Sequence, residues 1–214
     1  MKVALIGATG FVGKAVLNEL LNRGHEVIAI SRSTGIDPRD GLQLVKADAT
    51  DADVLSESIK EADAVISAYN AGWQNPNLYY DFLNGSRAIQ AGVKKAGVKR
   101  LIVTGGAGSL YIEGKQLVDS PHFPEEWKAG ASAARDYLNV LKEEKDLDWV
   151  FVSPAIEMHP GTSGVRKGAY RSGSDNPVFD ETGKSVISVE DLAVAIVDEL
   201  EQNKHSRERF TVAY

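Results

Sequence analysis

The sequence predicts an α/β fold, a doubly wound parallel sheet in a single domain, and three observations point to it. Apolar runs of strand length alternate with segments of helical period almost to the end of the chain. The first of these runs leads through a glycine turn directly into a helix. No linker, internal repeat or low-complexity tract divides the 214 residues. Strand–helix alternation requires right-handed crossovers, which bring helices to both faces of the sheet.

Taken in order, Val3 to Ile6 is continuously apolar, as a strand buried on both faces requires. Val12, Val16, Leu17, Leu20 and Leu21 recur at helical spacing, and Arg23 with Gly24 closes that helix. Glu26 to Ile30 and Gln43 to Lys46 read as the second and third strands. Asp51 to Ile59 is a helix, and Ala64 to Ser67 the fourth strand. Leu78 to Lys95 is a longer helix that stops near Gly97, and Arg100 to Thr104 is the fifth strand. Gly105 to Lys128 is irregular, Ala131 to Lys145 helical, and Trp149 to Val152 the sixth strand. From Pro154 to Lys184 the chain is rich in Gly, Pro, Ser and Arg without a period. Residues 154–186 are therefore expected to form a short C-terminal insert on the substrate side. A helix over Glu190 to Leu200 and a strand over Arg209 to Ala213 complete the domain, which spans 1–214.

Composition narrows the function. Hydrophobic content of 43% and charged content of 25% are those of a globular chain. A net charge of −6 disfavours a dedicated nucleic-acid binder, which carries a basic patch or stripe. The absence of cysteine removes disulfides, thiolate nucleophiles and cysteine-ligated metals. The opening apolar run breaks at Gly7, and Lys14 interrupts the region where a signal peptide would have to continue. No stretch approaches the roughly 18 apolar residues of a spanning helix. The expectation is a soluble cytoplasmic protein with a small-molecule substrate, no nucleic acid and no membrane.

Gly7-Ala8-Thr9-Gly10-Phe11-Val12-Gly13 carries the strongest functional signal. In this strand–turn–helix context one glycine makes the tight turn, one admits a pyrophosphate to the backbone and one allows close helix–strand packing. The helix then offers free N–H groups and a positive dipole end to phosphates. The domain therefore reads as a Rossmann-type NAD(P) binder. After the second strand, Ile30-Ser31-Arg32-Ser33 lacks the acid that accepts from the ribose 2′-hydroxyl of NAD. A guanidinium at Arg32, aided by Ser31 and Ser33, would clamp the 2′-phosphate of NADP. Alternatively Arg32 stacks on adenine and accepts either dinucleotide; NADP is favoured, with NAD as the alternative.

The G-x-x-G-x-x-G spacing resembles the extended and atypical branches of the short-chain dehydrogenase/reductase superfamily, and the likeness runs over almost the whole chain. It includes Lys46-Ala47-Asp48, Thr104-Gly105-Gly106-Ala107-Gly108-Ser109, Ser153-Pro154-Ala155 and Ile187-Ser188-Val189-Glu190-Asp191. In detail the sequence is similar to compact bacterial NAD(P)H-binding proteins grouped with flavin reductases and biliverdin reductase B. Proteins described as NAD-dependent epimerase/dehydratase share the turn. The resemblance implies that Asp48 and Ala49 meet the adenine and that Ala68, Tyr69 and Asn70 line the path to the nicotinamide. It further implies that Thr104, Gly105 and Gly106 floor the nicotinamide pocket while Ser153, Pro154 and Ala155 close its far side.

That superfamily protonates substrate from a tyrosine tuned by a lysine four positions later on a helix, where the pair shares a face. Tyr111 and Lys115 match in letters but lie in the irregular stretch, so Tyr111 is expected at most to line the pocket. Tyr137 is followed by Lys142, five positions on and about 140° around the helix, and reads as a packing residue. Ser109 stands where the superfamily places a substrate-polarising hydroxyl and is the leading catalytic candidate, with turn capping as the alternative. Without the dyad, hydride transfer to a conjugated acceptor such as a flavin or quinone remains open, since its protons come from water. A non-catalytic redox sensor and a nucleotide-sugar epimerase or dehydratase are the alternatives. His25 reads as solvated or paired with the helix dipole, Trp73 and Trp127 as loop aromatics flanking the cleft that either stack on a planar acceptor or cover a core edge, and Arg166, Lys167 and Arg171 as a local basic cluster. The cluster either attracts an anionic substrate or is solvated.

Overall fold

Each apolar run becomes a strand of one sheet in the computed structural model, which describes residues 1–33 and 35–214. In chain order the strands and helices are β1 (Lys2–Ile6), α1 (Phe11–Asn22), β2 (Glu26–Ser31), β3 (Leu42–Lys46), α2 (Ala52–Ile59) and β4 (Ala64–Ser67). Next come α3 (Leu78–Ala96), β5 (Arg100–Thr104), the two short strands β6 (Tyr111–Ile112) and β7 (Lys115–Gln116), and α4 (Glu125–Lys142). The last are β8 (Asp148–Ser153), β9 (Arg171–Gly173), α5 (Val189–Gln202) and β10 (Glu208–Ala213).

Among the described residues the main sheet has eight strands in the order β3-β2-β1-β4-β5-β8-β10-β9, parallel except for β9. The chain begins in the middle of this sheet and winds first to one side and then to the other. That reversal leaves a crevice at the carboxyl ends of β1 and β4, the place where open α/β sheets bind ligands. Both faces are covered. Val16, Leu17 and Leu20 of α1 and Leu192, Ile196 and Leu200 of α5 bury one face. Leu55 of α2, Ile89 and Val93 of α3 and Leu138 and Leu141 of α4 bury the other.

The β1–α1 turn works only with glycine. Gly7 has φ +82°, a backbone conformation that side chains disfavour. A Cβ on Gly13 would lie 1.9 Å from the Gly7 carbonyl oxygen, so α1 reaches this closely over the turn only without one. The third glycine of the motif therefore performs the packing role that its spacing implied.

Several expectations need correction. Helix α4 starts at Glu125 rather than Ala131, which puts Trp127 in its first turn instead of a loop. The irregular stretch before it holds the β6–β7 hairpin, and the insert holds the antiparallel edge strand β9. His25 is buried rather than solvated, its Nε2 2.9 Å from a Glu201 carboxylate oxygen. The basic cluster is engaged internally. Arg166 donates to Glu19 at 2.8 and 2.9 Å, Lys167 lies 3.5 Å over the Tyr214 ring, and Arg171 donates to the Phe179 carbonyl at 2.7 Å. These cations are not held out for an anionic substrate.

Candidate functional site

A cleft of about 810 Å³ opens at the carboxyl edge of the sheet, where the glycine turn meets the ends of β2, β3 and β4. The turn contributes Gly7, Thr9 and Gly10, and the end of β2 contributes Ser31, Arg32 and Ser33. Asp48, Ala49 and Thr50 follow β3, and Ala68, Tyr69 and Asn70 follow β4. Ten of the residues expected to hold the dinucleotide thus meet in one cavity.

At its inner end the cleft meets the start of α1. Gly10 is the N-cap, no side chain caps the helix, and its first turn carries no acid. The Gly10 N–H is used within the turn, donating to the Gly7 carbonyl at 2.9 Å. An uncapped helix N-terminus presents backbone donors and a partial positive charge to an anion.

At its outer end the cleft carries a cation, Arg32, opposite the carboxylate of Asp48. Arg32 is exposed and makes no ion pair or hydrogen bond among the described residues. The Ser33 N–H donates to Ser31 Oγ at 3.2 Å, and the two hydroxyl oxygens lie 3.4 Å apart. Facing them, Asp48 Oδ1 accepts from the Thr50 N–H at 2.9 Å and the Thr50 hydroxyl at 2.7 Å. These bonds, more than the nearby Arg32 charge, hold the Asp48 carboxyl below the usual range, so it stays ionised near neutrality. Burial pushes the Tyr69 phenol up. Its ring stacks on Phe82, with centroids 5.9 Å apart, and its hydroxyl donates to the Asp81 carbonyl at 3.2 Å.

Helix α3 supplies a wall that the sequence reading missed: Asp81, Asn84, Gly85 and Ala88. Gly85 was the available signal, a glycine inside a helix, where it costs stability unless something needs the space. A Cβ there would lie 2.4 Å from the Tyr69 hydroxyl oxygen. Asn75 also lines the cleft, tied to Asp81 by a 2.8 Å hydrogen bond.

The remaining expected residues lie outside this lining. Phe11 opens α1 and borders a smaller hollow with Ser163 and Val189, while Val12 packs toward the core. Thr104 ends β5 with its Oγ1 buried and without a partner among the described residues. Gly105 abuts the Phe151 ring and Gly106 approaches Ala134 of α4. Ser153 ends β8 and Pro154 and Ala155 follow it, all three buried.

Ser109 is 1% exposed. Its hydroxyl lies 3.3 Å from the Gly106 carbonyl, 3.4 Å from Ser153 Oγ and 3.3 Å from Arg209 Nη1, which donates to it. Arg209, in turn, is ion-paired with Asp175 of the insert. Neither partner was anticipated, although an arginine heading the apolar run Phe210 to Ala213 is itself a signal. Tyr111 and Lys115 face each other's neighbours across the β6–β7 hairpin, so they share no helical face. Tyr137 is 1% exposed, and burial pushes its phenol far up.

Comparison with known proteins agrees with this geometry. The family model described as NAD(P)H-binding matches residues 7–203. A crystal structure from Bacteroides thetaiotaomicron, provisionally named an epimerase, is 49% identical. It superposes with a TM-score of 0.90, covering 100% of this chain and 96% of that one. SP1627 from Streptococcus pneumoniae TIGR4, provisionally named an NADH-flavin reductase, is 36% identical with a TM-score of 0.86, covering 100% and 99%. The uncharacterized protein YwnB of Bacillus subtilis is 37% identical across 99% of this chain and 98% of its own length. With its glycine turn, its strand order and a family match over nearly its full length, the chain belongs to the NAD(P)H-binding family.

Proposed function

We propose that the protein is an NADPH-dependent reductase that passes hydride to a small planar conjugated acceptor such as a flavin or quinone. The observation that carries this reading is the pairing, in one cleft, of an acid-free helix N-terminus with the unengaged Arg32. The first would hold the pyrophosphate and the second, with Ser31 and Ser33, the 2′-phosphate. Asp48 and Ala49 would meet the adenine, and Tyr69 and Asn70 would lead the chain of contacts toward Thr104, Gly105 and Gly106. Ser153, Pro154 and Ala155 would back the nicotinamide from behind.

When bound, the cofactor supplies a hydride, two electrons with one proton, and leaves oxidised; the acceptor takes that hydride and a second proton from water. The chain's task is to bind, orient and exclude competing reactions. Tyr137 is sealed in the core and the Tyr111–Lys115 pair is not helical, so neither tyrosine is positioned as in the short-chain dehydrogenases to protonate a carbonyl. A conjugated acceptor needs none. Ser109 would polarise the acceptor only by turning from its present partners; held as it is, it braces the Gly105 to Ser109 loop.

The Bacteroides relative favours a second reading, an epimerase, in which hydride is removed and returned without net cofactor use. One assay separates the two. The reductase reading expects loss of NADPH absorbance with riboflavin, FMN or menadione, faster than with NADH. Cofactor binding with no oxidation by any acceptor would overturn it, and turnover of a nucleotide sugar at constant NADPH would install the epimerase in its place.

A further inference from the structure

Two of the three tryptophans are exposed, Trp73 by 60% and Trp127 by 49%, while Trp149 is 2% exposed. Exposed indoles are uncommon, and both of these belong to the start of α4, one on the helix and one packed against it. Gly130 of α4 faces the Trp73 ring so closely that a Cβ there would lie 2.8 Å from Cζ3. Trp127 lies three positions before Gly130, the spacing of neighbours on one helix face. Gly130 is thus a notch in α4 that seats the Trp73 ring on the helix face that also carries Trp127.

The pair borders the proposed cofactor site. Crossover helices run back against their strands, so the segment before α3 and the first turn of α4 both stand at the carboxyl edge. Trp73 belongs to the loop after β4, whose Ala71 and Asn75 line the cleft. One and two turns beyond Trp127, Ala131 and Ala134 of α4 meet Gly108 and Gly106, the loop expected to floor the nicotinamide pocket. The same face of α4 therefore carries the indoles at its start and the floor loop further along. Glu125 and Glu126 share the first turn with Trp127, an acidic setting that disfavours a phosphorylated ligand.

We propose that Trp73 and Trp127 form a stacking wall for an uncharged planar acceptor of riboflavin or naphthoquinone type. The inference rests on the reductase reading and adds the acceptor's place and charge. Indole faces stack on conjugated rings, and the Gly130 notch fixes one of them at low conformational cost.

The test uses the full chain loaded with NADP⁺, so that binding is read without turnover. Riboflavin should quench tryptophan emission saturably, and FMN more weakly because of its phosphate. Trp73→Ala and Trp127→Ala should each raise the riboflavin dissociation constant about tenfold, with Trp→Phe restoring most of the affinity. NADPH binding should stay unchanged, and under turnover the menadione KM should rise while kcat holds. Wild-type riboflavin affinity in the Trp73→Ala/Trp127→Ala double variant would overturn the proposal. Self-association of the wild type that the double variant loses, with acceptor affinity intact, would also overturn it, by assigning the pair to a second copy of this chain. Tryptophan-dependent riboflavin binding without NADPH oxidation would uphold the wall and remove the reductase reading. Oxidation with an unaltered KM in the variants would do the reverse.

Discussion

Helices α1 and α5 lie side by side on one face of the sheet and start at the same edge, yet their first turns are built in opposite ways. Helix α1 follows Gly10, with no side-chain cap and no acid in its first turn. Helix α5 follows Ser188, whose hydroxyl accepts from the Asp191 N–H at 3.1 Å, and its first turn carries Glu190 and Asp191. The fully buried Asp191 accepts from the backbone N–H groups of Lys167 and Gly168 at 2.9 and 2.8 Å and from the Tyr214 hydroxyl at 2.6 Å. Glu190 accepts from the Gly164 N–H at 2.9 Å. One positive helix end is filled by its own carboxylates, which moor the insert; the other is left to an anion from outside. A helix N-terminus becomes a binding site through what its first turn withholds.

That contrast can be broken from either side, and the largest effect belongs to the turn. Gly13→Ala drives a methyl group into the Gly7 carbonyl. It should cost about 3 kcal/mol in urea unfolding and abolish measurable NADPH binding. Unchanged stability would show that α1 does not need its close approach. Asp191→Ala attacks the filled end and should cost about 2 kcal/mol, because three donors lose a buried, charged acceptor. NADPH affinity should stay the same, so a large loss of affinity would mean that the two helix ends are not separate in role.

Arg32→Ala sharpens the open end: NADPH affinity should fall about tenfold while NADH affinity hardly moves. Equal losses for both dinucleotides would favour stacking of Arg32 on adenine instead. The smallest effect joins the two helices. Glu19 of α1, 4% exposed, accepts from Arg166 of the insert and from Arg23. Hydrogen bonds from Arg166 are the main cause holding its carboxyl below the usual range, against the opposing effect of burial. The unfolded chain therefore takes up this proton more readily than the folded one. The pair's stabilisation, about 1 kcal/mol, is present above the ordinary carboxylate pKa and fades as pH falls below it. Melting curves of wild type and Glu19→Gln should converge in acid; a constant gap would assign Glu19 to packing alone.

The sheet was legible because strands buried on both faces are written as uninterrupted apolar runs: Ala64 to Ser67 and Arg100 to Thr104 match residue for residue. Strand β9 was not legible, since Arg171-Ser172-Gly173 at an antiparallel edge has no face to bury. The start of α4 was hidden by its charged opening and by Gly130, which costs helix stability and is kept where the Trp73 ring needs room. The half of the cleft built from strand ends could be read because the glycine turn fixes the frame around it. The half built by α3 could not, because Asp81 and Asn84 look like any solvated helix face until the fold turns them inward. Likewise Arg166, Lys167 and Arg171 form a basic cluster in sequence, but each meets a partner brought from elsewhere in the chain.

The most direct test changes one charge at the open helix end. Thr9 lines the cleft beside the start of α1, so Thr9→Asp and Thr9→Asn differ there by a carboxylate in place of an amide of equal size. Titrated with NADPH at low salt, Thr9→Asn should stay within about threefold of wild type and Thr9→Asp should bind at least about tenfold more weakly. Equal affinities for the two variants would mean that the phosphates do not rest on α1, and the cofactor site would have to lie elsewhere.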